Sequence, residues 1–116
     1  MNHQNKGRKF GRKKGQRRAF FKGLATNLIT HGRIETTEAR AKEIRSLLER
    51  LVTLGKKQNL ASLRLMIARV GKKPAEKVFY DIAPKYKDRK GGYLRIIKTS
   101  DVRRRDAAKK AVIEFI

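Results

Sequence analysis

An enzyme needs a nucleophile with a base, a pair of carboxylates poised as acid and base, or a bound metal. Residues able to supply these are sparse in this chain. The only histidines are His3 and His31. His3 sits in a Lys/Arg-rich stretch and His31 at the expected end of a helix, and neither has an acidic cluster beside it in sequence. Contact with phosphate or solvent fits them better than metal ligation. There is no cysteine, which excludes a thiolate nucleophile, a thiolate metal site and a disulfide framework. Glu38, Glu43 and Glu49 fall on an amphipathic helix, and Asp88, Asp101 and Asp106 have Lys or Arg close by, so charge balance accounts for them. Lys90-Gly91-Gly92-Tyr93 lacks both the GxxxxGK[ST] frame and a following helix, and reads as a glycine turn feeding a strand. No catalytic residue, metal, cofactor or small-molecule substrate is expected.

The chemistry the sequence does offer is cationic. Of 116 residues, 32 are Lys or Arg against 10 Asp or Glu, a formal net charge of +22. Such a charge repels itself, whereas a phosphate backbone neutralises it and gains entropy from released counterions, so nucleic acid is the expected partner. No apolar run approaches the roughly 20 residues that span a bilayer, and no signal-peptide apolar region opens the chain, so no membrane partner and cytoplasmic residence are expected.

The cations are unevenly placed. Lys6, Arg8, Lys9, Arg12, Lys13, Lys14, Arg17, Arg18 and Lys22 precede the first carboxylate, Glu35. Residues 1–18, with Gly7, Gly11 and Gly15 and only Phe10 as a large apolar group, cannot build a core. They read as an extended basic arm, flexible enough for its backbone to approach phosphates. A second cluster, Lys85, Lys87, Arg89 and Lys90, is flanked by Tyr86 and Tyr93, whose rings are of the type that stacks on unpaired bases. Arg103-Arg104-Arg105, interrupted by Asp101 and Asp106, is a weaker form of the same signal. With His3, Arg33 and Arg95, the arm and the second cluster make up the expected RNA-contact set.

These groups need a scaffold, and residues 19–116 can supply one compact domain. Phe20, Phe21, Leu24, Ala25, Leu28 and Ile29 recur at helical spacing, predicting a helix over about 17–31 stopped by Gly32. Arg33–Thr36 is a short β-prone stretch, and Thr36 or Thr37 can cap the next helix, with Glu38 near its positive end. There Ala41, Ile44, Leu47, Leu48, Leu51 and Leu54 form one apolar stripe before Gly55, with Glu38/Lys42 and Arg45/Glu49 as i,i+4 pairs. Asn59 can cap a third helix with Leu60, Leu63, Met66, Ile67 and Val70 inward and Gly71 at its end. Pro74 suits the first position of a fourth, with Val78, Phe79 and Ile82 buried and Pro84 terminating it. Tyr93–Lys98 and Ala111–Ile116 read as strands joined by a charged connection from Thr99 to Asp106. The expected fold is α+β: three to four helices packed on one face of a small three-stranded sheet, with an extended basic N-terminal arm.

A basic face does not by itself tell RNA from DNA, and a DNA-binding architectural or regulatory protein is the alternative. It would need a recognition helix with base-reading side chains or a dimer interface. The apolar stripe of the second helix is accounted for by a core, and its exposed face mixes both charges.

Several separated blocks carry a resemblance. They are His3, Lys6-Gly7-Arg8-Lys9 and Gly11-Arg12; Ile34-Glu35-Thr36-Thr37 with Ala39-Arg40-Ala41-Lys42-Glu43-Ile44-Arg45; Glu49-Arg50-Leu51-Val52-Thr53-Leu54; Gly91-Gly92-Tyr93-Leu94-Arg95-Ile96; and Arg105-Asp106-Ala107-Ala108. Through them the chain resembles, nearly end to end, the family of bacterial large-subunit ribosomal protein number seventeen. It departs from that pattern at Asn2, Gln16 and Lys109-Lys110. The resemblance implies a small α+β domain bound to 23S ribosomal RNA near the exit of the nascent-chain tunnel, beside neighbouring large-subunit ribosomal proteins.

Overall fold

The first reversal of the chain falls at a glycine. In the computed structural model, which describes residues 14–102 and 108–116, helix α1 spans Lys14–His31 and stops at Gly32. Gly32 has φ of 80°, in the left-handed region that glycine enters without steric penalty, and its N–H donates to the Leu28 carbonyl at 2.7 Å. The helix begins before the apolar spacing reveals it, so residues 14–18, expected in the extended arm, form its first turn instead. Lys14, Gly15 and Gln16 add no apolar periodicity, yet extending a nucleated helix by a turn fixes only one residue per added bond.

Strand β1 (Arg33–Thr37) leads directly into α2 (Glu38–Lys56). Of the two candidate caps Thr37 serves, its hydroxyl accepting from the Arg40 N–H at 3.3 Å. The stripe of α2 is broader than its spacing predicts: Ala41, Ile44, Leu48 and Leu51 are buried, Leu47 and Leu54 are only partly covered, and Val52 and Gly55 are buried as well. The helix is covered on two sides, by the sheet on one and by later helical turns on the other. Gly55 is therefore a packing residue rather than a stop. A Cβ there would stand 2.9 Å from that of Ala83, closer than side chains tolerate. The left-handed turn falls instead at Gln58, φ 53°, whose Nε2 donates to the carbonyls of Gly55 at 2.7 Å and Phe79 at 2.8 Å.

Helix α3 (Leu60–Val70) is capped by Asn59, which accepts from the Ser62 N–H at 2.8 Å. Ser62, Met66 and Val70 are buried, with Leu63 and Ile67 beside them. Leu60, expected inward, is 60% exposed. It lies two positions from Ser62, nearly opposite it around the helix. Helix α4 (Lys72–Lys77) has Pro74 third rather than first, still within the turn whose N–H groups have no helical acceptor. Pro84 does not end this run. A π-helical turn at Val78–Ile82, closed by the Ala83 N–H on the Val78 carbonyl, passes into a 3-10 turn at Ala83–Tyr86. A proline has no N–H to donate and its ring crowds the carbonyl four residues back, so the helix changes pitch around it.

Strands β2 (Leu94–Val102) and β3 (Lys109–Phe115) complete an antiparallel sheet of order β1-β3-β2. Part of the expected charged connection is thus strand, because β2 stays paired with β3 as far as Val102 through a register shift after Lys98. Arg103–Arg105 lie outside the described residues. Register places Ile34, Ile113 and Ile96 in one row, packed toward the helices. The next row, Arg33, Glu114 and Arg95, faces away. The architecture is the α+β arrangement expected, helices on one face of a three-stranded sheet.

Candidate nucleic-acid interface

Helix α1 carries cations without carboxylates. Its sequence holds no Asp or Glu, so its first turn has no acidic residue to complement the positive end of its dipole. Arg17, half-buried, and Arg18, exposed, lie near that end, where cations are disfavoured and an anion would be stabilised. Lys22 follows Arg18 by one turn on the same exposed face. Its aliphatic stem runs past Gly71, where a Cβ would lie 3.5 Å from Lys22 Cε, which places this cation at the junction of α1 with α3 and α4. His31 is exposed at the helix C-terminus. His3, Lys6, Arg8, Lys9, Arg12 and Lys13 lie outside the described residues, and Lys14 opens the helix.

The outer sheet face holds Arg33 and Arg95 on either side of one carboxylate. Arg95 Nε donates to Glu114 at 2.7 Å, and Arg33 Nε lies 3.8 Å from its other oxygen. Both arginines remain largely in solvent, where such pairs contribute little to stability, and two cations share one anion. Near the start of α2, Glu38 pairs with Lys42 at 3.1 Å and Lys98 at 3.5 Å. The hydrogen bond from Lys42 holds the Glu38 carboxyl below its ordinary range; desolvation opposes this and the charge of Lys98 adds to it. Arg45 and Glu49, although one turn apart, form no ion pair among the described residues.

The 85–93 segment departs from its sequence reading. Lys85, Lys87, Arg89 and Lys90 are exposed, but Tyr86 and Tyr93, expected to stack on bases, are 7% and 2% exposed. Their rings pack on each other at 5.3 Å between centroids within the apolar core, so no face is open to a base. The physical reason is that each ring buries a large apolar area while its hydroxyl still finds a partner. Tyr86 donates to the Ile116 carbonyl at 2.5 Å, and Tyr93 donates to the Arg89 carbonyl at 3.3 Å. Burial raises the Tyr86 pKa above its ordinary value, with the Arg89 charge pulling the other way. Arg89 itself is turned inward at Nε, which donates to the carbonyls of Gly91 at 3.0 Å and Gly92 at 3.1 Å.

One cation that sequence reasoning passed over organises this segment. Lys56, the last residue of α2, donates from Nζ to the Arg89 carbonyl and, at 3.0 Å, to the Tyr93 hydroxyl. In the sequence it is one of two lysines after Gly55, indistinguishable from a solvated helix end.

Among the described residues no three His, Cys, Asp or Glu side chains stand close enough to hold a metal ion, and no helix is long and apolar enough to cross a membrane. The arrangement offers spread positive charge on α1, the sheet edge and the 85–90 segment, carried on a rigid core.

Known proteins align with this chain over its whole length. The large ribosomal subunit protein bL17 of Persephonella marina is 49% identical over 118 residues, covering 100% of this chain and 95% of the relative. That of Fusobacterium nucleatum is 49% identical over 117 residues, with 100% of both chains covered. That of Thermodesulfovibrio yellowstonii is 46% identical over 117 residues, covering 100% of this chain and 87% of the relative. A profile of the ribosomal protein L17 family matches residues 20–116, from α1 through β3, and the chain belongs to that family.

Proposed function

We propose that this protein is a structural constituent of the large ribosomal subunit in the cytoplasm, binding and stabilising 23S ribosomal RNA near the nascent-chain exit, beside neighbouring ribosomal proteins and without catalytic turnover. Besides family membership, the observation that carries the reading is α1: exposed cations on a helix without a single acidic residue. Phosphates neutralise charges that otherwise repel one another, and the rigid core fixes where those charges sit. The contact set is His3, Lys6, Arg8, Lys9 and Arg12–Lys14 of the arm, with Arg17, Arg18, Lys22, Arg33, Lys85, Lys87, Arg89, Lys90 and Arg95. Recognition by RNA shape and phosphate position follows from this distribution.

The test is sedimentation of the native protein with the large ribosomal subunit at moderate salt, together with a salt titration against a 23S fragment. With about ten phosphates neutralised, a log–log slope of roughly −7 is expected. Loss from the subunit, or a slope near zero, defeats the reading.

Within it, residues 1–18 act as the RNA-binding arm, their last five residues being the start of α1, and 19–116 as the folding unit. Deleting 1–18 should leave cooperative melting largely in place, since among the described residues the buried set begins at Ala25. Loss of the thermal transition would move that boundary.

A further inference from the structure

Three cations from three separate elements line one groove. Arg50 comes from α2, Arg69 from the last turn of α3 and Lys90 from the loop before β2, around an open space of about 590 Å³. Its floor is apolar, formed by Leu54 and the buried Tyr93. All three cations are exposed, and among the described residues none is held in an ion pair. One wall also carries Glu49, likewise without an ion-pair partner among the described residues although arginines lie one position after it and one turn before it.

We infer that this groove binds one unpaired guanine nucleotide of the bound RNA, its phosphate held by Arg50, Arg69 and Lys90 and its base by Leu54 and Glu49. The inference rests on the RNA-binding reading above. Phosphates alone would satisfy the three cations but leave the Glu49 carboxylate without a donor, so the occupant that fits best also brings hydrogen-bond donors. Guanine places N1–H and the N2 amine side by side, matching the two oxygens of a carboxylate. Uracil offers one N–H between two carbonyls, and adenine and cytosine set a ring acceptor beside their amine. Unpaired bases are the ones whose Watson–Crick edge is free to be read in this way. The loop wall is preorganised: Lys56 ties the Arg89 carbonyl and the Tyr93 hydroxyl to α2, so Lys90 and Gly91 are presented on a fixed turn, and little ordering is left to oppose binding.

The experiment follows backbone amide shifts of the isotopically labelled full chain while GMP, CMP, AMP, UMP and inorganic phosphate are added at fixed salt. GMP should shift the amides of Thr53, Leu54, Lys90 and Gly91, and bind about fivefold or more tighter than UMP, the low end of what a bidentate base contact gives. Glu49→Gln should shrink that preference to about twofold while phosphate contact persists, and Arg50→Gln with Arg69→Gln should weaken all four nucleotides alike. Unchanged amide dispersion elsewhere reports that these surface variants stay folded. Equal affinity for all four nucleotides and phosphate in the unsubstituted chain, or groove amides that do not move, overturns the inference. The salt slope for a structured RNA, measured alongside, tells whether the broader RNA reading falls with it: a steep slope with a silent groove defeats only the guanine site.

Discussion

Helix α1 and the 85–93 segment are both cation-rich, yet the fold uses them differently. In α1, Arg18 and Lys22 stand one turn apart on an open face, with no acid in the helix. In 85–93 the aromatic residues go to the core, the Arg89 Nε is bonded to loop carbonyls, and Lys56 bolts the turn to α2. The contrast teaches that counting cations does not measure free positive charge. A loop that must turn sharply needs donors for its own carbonyls, whereas a helix satisfies its carbonyls internally and leaves its side chains to a partner.

Substitution can break this contrast most directly at Tyr93. Tyr93→Ala should lower unfolding free energy by about 3–5 kcal/mol, the usual range for removing a buried aromatic ring. Replacing Arg17, Arg18 and Lys22 together by Gln should change stability by no more than about 0.5 kcal/mol while flattening the RNA salt slope by roughly 2. Denaturant melts and salt titrations of both variants settle the matter; a destabilised α1 variant, or a Tyr93→Ala chain that melts normally, would erase the distinction.

A smaller effect is expected at Lys56. Lys56→Met keeps the aliphatic stem and removes bonds to the Arg89 carbonyl and Tyr93 hydroxyl, which should cost about 1–3 kcal/mol. Amide exchange should accelerate at residues 89–93 before it does in α2. Uniform acceleration along the chain would show that Lys56 supports the whole core rather than the turn.

Tyr86→Phe removes only the hydroxyl that bonds to Ile116, a loss of about 1 kcal/mol. It should also alter the alkaline limb. Burial raises the folded-state pKa of Tyr86, so its contribution is complete below the unfolded value near 10 and is lost as pH rises through the folded value. Thermal melts across that range should fall less steeply for Tyr86→Phe, and parallel limbs would assign the alkaline loss to other groups.

The smallest effect belongs to the exposed pairs. Glu38 has a lowered folded-state pKa, so its contribution is present above the unfolded value of about 4 and disappears as pH falls through the folded one. Glu38→Gln should leave neutral-pH melting nearly unchanged and slightly blunt the acid limb. A large loss at neutral pH would mean that Lys42 and Lys98 hold β2 on α2 more firmly than an exposed pair does.

Much of the scaffold was legible because its signals are short-range. Asn59 caps α3 by reaching an N–H three residues ahead, Gly32 ends α1 through its own backbone conformation, and the α2 stripe repeats within two turns. The second buried side of α2 was not legible, since Gly55 is covered by Met66, Phe79 and Ala83, eleven to twenty-eight positions further along the chain. Pro84 misled for a related reason: a proline ends an α-helix locally, but packing of Phe79, Ile82 and Tyr86 into the core carries the chain on through turns of different pitch.

By itself the sequence determined the sign and excess of charge, the lack of thiol chemistry, the periodicities that predict the helices and strands and, through its separated motif blocks, the family. These depend on residue type and on neighbours within a turn. Tertiary structure alone decided which tyrosines are core, which lysine is structural, that Arg33 and Arg95 share Glu114, and that Arg50, Arg69 and Lys90 face one groove. Each of those facts joins residues on different elements, and their meeting is fixed by strand register and helix packing, which no local spacing encodes.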